Sequence, residues 1–262
     1  INENTGVIDV SASPTNPNIL YAASWERERK AWNFDGDGEN SAIYKSSDGG
    51  ENWTKITLEK KGFPTGNGVG RIGLAVFNDT VIYALLDNQF RRPEEKKKDD
   101  ERIKKDDFKK MTNEDFFKLD SEDLNSYLKA NGFAKKYTAK SVKLLVEKGE
   151  IKVSDLASYL EDANSLLFDT PVIGAEVYKS TDGGKSWKKT HKDYLDDVYS
   201  SYGYYFGIIG VNTSNENKIY IGGVPLLTSD DGGKTFSFIG KENVHSDHQA
   251  IWINSKLEGH II

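Results

Sequence analysis

Two histidines and an aspartate lie within four residues at His245, Asp247 and His248. Two imidazoles and a carboxylate form a donor set that transition metals accept, so these residues are candidate metal ligands. Alternatively, Asp247 can orient His248 as a general acid or base, which makes this pair the candidate catalytic residues. A hydrogen-bonded structural cluster explains the same residues, and no remote fourth ligand is evident. The sequence therefore predicts neither a metal nor another cofactor.

A second acidic stretch, Asp35-Gly-Asp37-Gly-Glu39, has the spacing of the oxygen ligands in a calcium loop. It lacks the remaining ligands and the terminal glutamate of an EF-hand. We therefore interpret it as a glycine-rich loop.

Three more aspartates, Asp48, Asp182 and Asp231, occupy the same position in three copies of Ser-x-Asp-Gly-Gly-x-x-aromatic. A polar Gly-Gly turn between two strand-like runs predicts a β-hairpin. The aspartate can bond the amides of its own turn, and the aromatic residue can pack beneath it. We predict a structural role for these aspartates and for the aromatic residues that end the motifs, Trp53, Trp187 and Phe236.

A second repeat, a strand-like run around Tyr83, Tyr220 and Ile261, lies between these motifs and defines the architecture. Asp48 precedes Tyr83 by 35 residues, Asp182 precedes Tyr220 by 38, and Asp231 precedes Ile261 by 30. The pattern reads strand A, turn, strand B, connection, strand C, Asp motif, strand D, and four antiparallel strands per repeat make a propeller blade. The sequence predicts an all-β partial β-propeller with three blades and strands A and B of a fourth. Since propellers close with about four to eight blades, we expect the remaining blades of a longer chain as partners.

One B–C connection carries a large insertion of different composition. Residues 91–170 begin with a mixed charge run and continue with short helical patterns that start near Thr112, Asp120, Thr138 and Ser154. We predict that residues 1–90 and 171–262 form the propeller blades and that residues 91–170 form a helical insertion.

Composition excludes several classes of function. The net charge of −6 argues against a nucleic-acid partner. The chain has no cysteine, so disulfides, thiolate metal sites and a cysteine nucleophile are excluded. No apolar run reaches the roughly 18 residues that a membrane span needs.

The ligand-binding residues are expected at the blade ends opposite the Asp motifs, because the B–C and D–A connections meet there. Both long insertions fall in B–C connections and build this face. Aromatic rings with arginines and carboxylates suit sugar or peptide ligands. The predicted ligand-binding residues on this face are Trp25, Arg27, Arg29, Trp32, Arg71, Tyr202, Tyr204, Tyr205 and His245.

The Asp motif resembles the Asp-box, or BNR repeat, of propellers such as sialidases, xyloglucan-cleaving hydrolases and the luminal domains of sortilins. Four longer stretches resemble large bacterial BNR-repeat glycosyl hydrolases, which are grouped with the sortilin N-terminal propeller. These stretches are Trp25–Phe34, Gly70–Val76, Tyr159–Asn164 and His245–Trp252. The resemblance implies an exported bacterial protein, located in the periplasm, on the cell surface or outside the cell.

A sialidase activity would require an arginine triad by this resemblance. The chain has six arginines and none after Arg102, so a triad would need an arginine from outside this sequence. The sequence thus favours a glycan- or protein-recognition module over two alternatives. One is a glycoside hydrolase that uses a carboxylate pair, and the other is a structural component of the cell envelope. The hydrolase carboxylates would come from Glu26, Glu28, Asp35, Asp37, Asp196, Asp197 and Asp247.

Overall fold

The computed structural model describes residues 2–93, 103–131, 133–158, 172–199, 202–240, 244–257 and 259–262. The chain divides into two compact units, of which one contains residues 1–92 with residues 172–262 and the other contains residues 93–171.

The larger unit contains the predicted blades. Its strands are β1 (Thr5–Ala12), β2 (Leu20–Glu26), β3 (Glu28–Lys30), β4 (Asn33–Asp35), β5 (Ala42–Ser46), β6 (Thr54–Lys55), β7 (Val69–Val76), β8 (Ile82–Arg91), β9 (Val172–Ser180), β10 (Lys188–Lys189), β11 (Ile208–Val211), β12 (Ile219–Gly222), β13 (Leu226–Ser229) and β14 (Ser237–Phe238). Among the described residues they form three four-stranded antiparallel sheets, β1–β2–β5–β6, β7–β8–β9–β10 and β11–β12–β13–β14. The predicted order of four strands per blade is therefore confirmed.

The predicted fourth blade is represented by one antiparallel pair. An isolated bridge joins Ile253 to Ile261. Trp252 and Ile262 exchange two backbone hydrogen bonds, of 2.7 and 2.9 Å. The prediction of a partial β-propeller with three blades and part of a fourth is confirmed.

Apolar side chains between successive blades form the core of this unit. Tyr21, Ile43 and Ile56 of the first blade pack against the second blade, whose contributions include Ile72, Leu74, Leu86, Tyr178 and Trp187. The opposite side of the second blade packs on the third through Tyr83, Leu85, Val177, Ile209, Ile219 and Ile221. Because blade strands carry apolar residues on both sides, each blade buries one side on each neighbour.

The three Asp-box turns have nearly the same hydrogen bonds. Ser46 Oγ donates to Asp48 Oδ1 at 2.7 Å, and the backbone N–H groups of Gly50 and Asn52 donate to Ser46 Oγ and Asp48 Oδ1. Gly49 and Gly50 have φ angles of 75° and 100°, which L-residues rarely adopt. Each carboxylate thus closes its own turn, and the amide of Asn52 lowers the pKa of Asp48 to about 2.

Replacing Asp182 by alanine is expected to lower the free energy of unfolding by about 1–3 kcal/mol, because the turn loses its acceptor. Asp182 accepts the Ser186 N–H at 2.9 Å and the Ser186 hydroxyl at 2.6 Å. Urea denaturation measures this loss. Asp230→Ala is the control, since Asp230 is exposed and makes one ion pair with Lys218. Equal stability of the two variants would contradict a structural role for the Asp-box aspartate.

The smaller unit is helical, with α1 (Lys105–Lys110), α2 (Asn113–Lys118), α3 (Ser121–Ala130), α4 (Ala139–Glu147) and α5 (Asp155–Ser158). The N-caps of α2, α3 and α4 are the side chains of Thr112, Asp120 and Thr138, as their sequence patterns predict. Its core contains Phe108, Phe116, Leu124, Tyr127, Leu128, Val142, Val146 and Leu156. The helical character of the insertion is confirmed.

The sequence patterns missed α1, whose six residues include five charged ones and bury only Phe108. Such a helix has no apolar periodicity to detect. Residues 94–102 of the charge run and the Tyr159–Asn164 stretch lie outside the described residues.

Candidate functional site

The Asp-box turns and the candidate site lie at opposite ends of the blades. Each Asp-box turn is hydrogen-bonded to the A–B turn of its own blade, through Gly49 to Asn18, Gly183 to Thr80 and Gly232 to Asn217. Alternate connections of an antiparallel sheet lie at opposite ends. The B–C and D–A connections, which contain the predicted ligand-binding residues, therefore share the other end, here called the insertion face.

A small hairpin of β3 and β4 occupies the first long B–C connection. Glu28 pairs with Asp35 and Lys30 with Asn33, so Trp32 lies at the tip, where it is 83% exposed. The sequence predicted a loop only for Asp35–Glu39 and did not reveal this hairpin, because strands of three residues are too short to show an alternating pattern. The hairpin presents a large aromatic ring to solvent.

Trp25, Arg27 and Arg71 lie together at the base of this hairpin. Trp25 is buried and donates from Nε1 to the carbonyl of Gly36 at 2.7 Å. The guanidinium groups of Arg27 and Arg71 lie 5.0 and 6.0 Å from the Trp25 ring centroid, within the range of cation–π attraction. The predicted proximity of these side chains is thus present, with Trp25 as a support beneath the surface.

Arg71 also fastens the tyrosine segment that precedes the third blade. Its Nη1 donates to the carbonyls of Tyr204 and Tyr205, at 3.4 and 3.1 Å. The Tyr204 ring packs on Phe34 of the hairpin, with centroids 4.7 Å apart. Tyr202 and Tyr205 remain 48% and 55% exposed. Arg71 therefore links aromatic residues from two connections into one surface.

Arg29 and His245 were also predicted to bind the ligand, and each has its own surroundings. Arg29 stacks on Phe34 at 5.7 Å and thereby belongs to the hairpin. His245 is exposed, and its Nδ1 lies 2.6 Å from the carbonyl oxygen of Ser246. No contact between His245 and the tyrosine segment appears among the described residues.

Asp247 and His248 are anchored by their backbone. The amide of Asp247 donates to Val224 O at 3.1 Å, and the amide of His248 donates to Gly223 O at 2.9 Å. Asp247 has a φ of 72°, a left-handed conformation that is uncommon outside glycine. No group of three histidine, aspartate or glutamate side chains suited to a metal occurs within the described part of the chain. The pair remains a catalytic hypothesis.

Most hydrolase candidates have local partners. Glu26 accepts the Asn40 amide at 2.9 Å, Glu28 pairs with Lys30 at 3.0 Å, and Asp35 accepts from Asn33 at 3.0 Å. Asp196, in the one-turn helix α6 (Asp196–Tyr199), pairs with Arg92, while its neighbour Asp197 is exposed. Burial raises the pKa of Asp37, and the nearby Asp35 and Glu26 charges raise it further. Among these carboxyls, Asp37 is therefore the one whose surroundings raise its pKa.

A fully buried acid that was not predicted from the sequence lies at the same end of the second blade. Asp87 on β8 is 1% exposed, and burial raises its pKa to about 7. The nearby charge of Asp37 also raises this pKa, while Arg71 lowers it. The signal in the sequence was a single aspartate that ends the apolar run Ile82–Leu86.

Known proteins match this chain in one short repeat and in distant solved structures. The BNR/Asp-box repeat family matches residues 178–189, which contain the second Asp-box. No curated protein matches the chain. A solved structure of a GH74 enzyme from Niastella koreensis is 16% identical to this chain, with a TM-score of 0.45. The match covers 96% of this chain and 25% of that enzyme.

Two other solved structures are similarly distant. A YCF48 protein bound to a D1 peptide is 9% identical, with 91% of this chain covering 41% of it at a TM-score of 0.41. A protein of unknown function from Dyadobacter fermentans is 16% identical, with 96% of this chain covering 64% of it at a TM-score of 0.39. This chain thus spans less than two thirds of each of these structures.

No helix within the described ranges is long and apolar enough to cross a bilayer.

Three Asp-box turns close hairpins in three four-stranded antiparallel sheets, and the repeat family matches one of these turns. The chain therefore forms a partial β-propeller whose hairpins close with Asp-box turns.

Proposed function

We propose that the protein is a recognition module that binds a glycan on its insertion face. The observation that carries this proposal is the set of exposed aromatic rings at this end of the blades, in the tyrosine segment held by Arg71 and at the tip of the β3–β4 hairpin. Trp32, Tyr202 and Tyr205 are 83%, 48% and 55% exposed, and large exposed apolar side chains mark binding sites when they occur together. Aromatic faces stack on the apolar faces of sugar rings, while arginines and carboxylates bond the hydroxyls.

A glycan ligand is favoured over a protein because the surface is aromatic and polar with few exposed aliphatic side chains. Trp32 lies at a hairpin tip, next to the paired residues Lys30 and Asn33. Such a site suits a ligand that offers hydroxyls beside each ring. This function agrees with the exported location that the family resemblance implies, and protein binding is the other outcome that the test distinguishes.

The test is calorimetric titration of the protein with cellotetraose and mannotetraose. Trp32→Ala is expected to raise the dissociation constant at least tenfold, which corresponds to about 1.4 kcal/mol. Trp53→Ala is the matched control, since Trp53 is 39% exposed at the Asp-box end. A Trp32→Ala variant that binds as tightly as the wild type would contradict recognition through this face. Binding of peptides but of neither sugar would favour protein recognition.

A glycoside hydrolase is the second candidate, and one observation favours it. Asp37 and Asp87 both lie toward the insertion face and both have raised pKa values. A general acid in sugar hydrolysis needs a raised pKa, and its partner carboxylate lies about 5–10 Å away. We expect no turnover of β-glucan or sialoside by these 262 residues. Reducing-end assays with the Asp37→Asn variant as control decide between the two functions.

The first blade also carries an uncovered apolar side, for which we propose a further blade as partner. Val7 and Val10 are 57% and 58% exposed, whereas Ile72 and Leu74 of the second blade are 0% and 4% exposed. Trp53 is 39% exposed, while its equivalent Trp187 is 3% exposed. In the second blade this side is covered by the first, so a blade of the same construction fits the uncovered side of the first.

A further inference from the structure

Two polar groups beneath the insertion face are buried without a partner. Asp87 Oδ1 accepts from Gln89 Nε2 at 2.7 Å, but Asp87 Oδ2 has no hydrogen bond within the described part of the chain. The hydroxyl of Tyr199, which is 3% exposed, has none either. A buried polar atom that lacks a partner costs free energy, and such atoms are rare in native proteins. The Asp87 charge adds to the burial that raises the pKa of Tyr199, so the two groups lie near each other.

The chain passes directly over Asp87. A Cβ atom on Gly203 would lie 2.0 Å from Asp87 Oδ1, so only glycine fits there. On the other side, a Cβ on Gly70 would lie 3.0 Å from Asp87 Oδ2. Arg71 holds this cover through the carbonyls of Tyr204 and Tyr205. The cover is thus the described segment from Tyr202 to Gly207, and it belongs to the exposed tyrosine surface.

We propose that Asp87 and Tyr199 form a buried hydroxyl-binding subsite beneath the Tyr202–Gly207 segment, and that a sugar hydroxyl bridges the two side chains when this segment is displaced. The proposal rests on the proposed function for the identity of the ligand. A hydroxyl donates to the Asp87 oxygen and accepts from the phenol of Tyr199, so it satisfies both groups at once.

Other ligand chemistries fit less well. An anion would be repelled whenever Asp87 is ionised, and an ammonium group cannot accept the Tyr199 proton. Because the pKa of Asp87 lies at about 7, its carboxyl can accept or donate near neutral pH, and a hydroxyl matches both forms. The charged groups that act on Asp87 are Asp37, which raises this pKa, and Arg71, which lowers it. An internal water also donates and accepts, so the experiment includes it as an outcome.

The experiment compares Tyr199→Phe with the wild type in calorimetric titrations with cellotetraose and mannotetraose and in thermal unfolding. The phenylalanine retains the ring and removes only the unpartnered hydroxyl. We expect Tm to rise, because the buried orphan group is gone, and the affinity for the bound sugar to fall at least tenfold. Tyr194→Phe, which removes an exposed hydroxyl from the preceding connection, is expected to change neither quantity.

Unchanged affinity of Tyr199→Phe overturns the proposal. A lowered Tm with unchanged affinity shows that a water occupies the site, which overturns it as well. If Trp32→Ala lowers the affinity for the sugar while Tyr199→Phe does not, the result supports recognition by the surface and contradicts the buried subsite. If Tyr199→Phe lowers the affinity while Trp32→Ala does not, the result supports the buried subsite and contradicts recognition by the surface. Failure of the wild type to bind either sugar contradicts both.

Discussion

Replacement of Asp87 by asparagine is expected to stabilise the protein at neutral pH and to remove a large part of its pH dependence. Burial raises the pKa of Asp87 from 3.8 to about 7 in the folded state. Between these two values the folded state binds more protons than the unfolded state, so the free energy of unfolding falls as the pH rises. Three pKa units correspond to about 4 kcal/mol, all of which is present below pH 4 and lost above pH 7.

Urea denaturation of both proteins at pH 4, 5.5 and 7.5 measures this effect. The asparagine variant retains the acceptor for Gln89 and carries no charge, so the slope that Asp87 causes is expected to disappear, while Asp37, whose pKa is also raised, keeps its own contribution. Asp48 and Asp231, whose pKa values are lowered to about 2 mainly by backbone amides, lose their contribution only below pH 4 and do not obscure the result. Asp197→Asn is the exposed control. A wild-type slope that persists in Asp87→Asn would contradict the assignment.

The sequence predicted the blade architecture because the Asp-box is a local structure. All of its hydrogen bonds lie within one short turn, where they join Ser46, Asp48, Gly50 and Asn52. The motif itself therefore determines the hairpin. The capped helices of the insertion are local in the same sense, because Thr112 and Thr138 bond amides three residues ahead. Features of this kind can be recognised from spacing alone.

The candidate site was only partly predictable, because its chemistry arises between distant segments. Asp87 lies in a strand, and its carboxyl is covered by Gly203, which is more than a hundred residues later in the sequence. Sequence patterns gave Trp25 and Arg71 a place on the insertion face, but they did not show that Trp25 is a buried support and Trp32 the exposed ring.

The same limit applies to the first strand. Strand A of the first blade is β1, and its residues Val7, Ile8 and Val10 are exposed. Burial of a blade strand depends on the neighbouring blade, and the strand's own pattern cannot reveal whether that neighbour is present. The register of the sheets shows the equivalence: Val10 pairs with Ala22, Leu74 with Ala84 and Ile209 with Ile221.

Leu74→Ala and Val10→Ala are therefore expected to differ greatly, although the two residues occupy equivalent positions in successive blades. Leu74 is 4% exposed in the core between the first and second blades, and its truncation leaves a cavity that costs about 2–5 kcal/mol. Val10 is 58% exposed, and its truncation is expected to change the free energy of unfolding by no more than about 0.5 kcal/mol.

Urea denaturation at low protein concentration measures both changes, with Val7→Ala as a second exposed position. Comparable losses for Val10→Ala and Leu74→Ala would mean that the outer side of the first blade is already covered in solution. Raising the protein concentration tests this, because stability gained by association increases with concentration. The wide difference is expected instead, since in this chain a neighbouring blade, rather than the strand sequence itself, determines which apolar residues stabilise a blade.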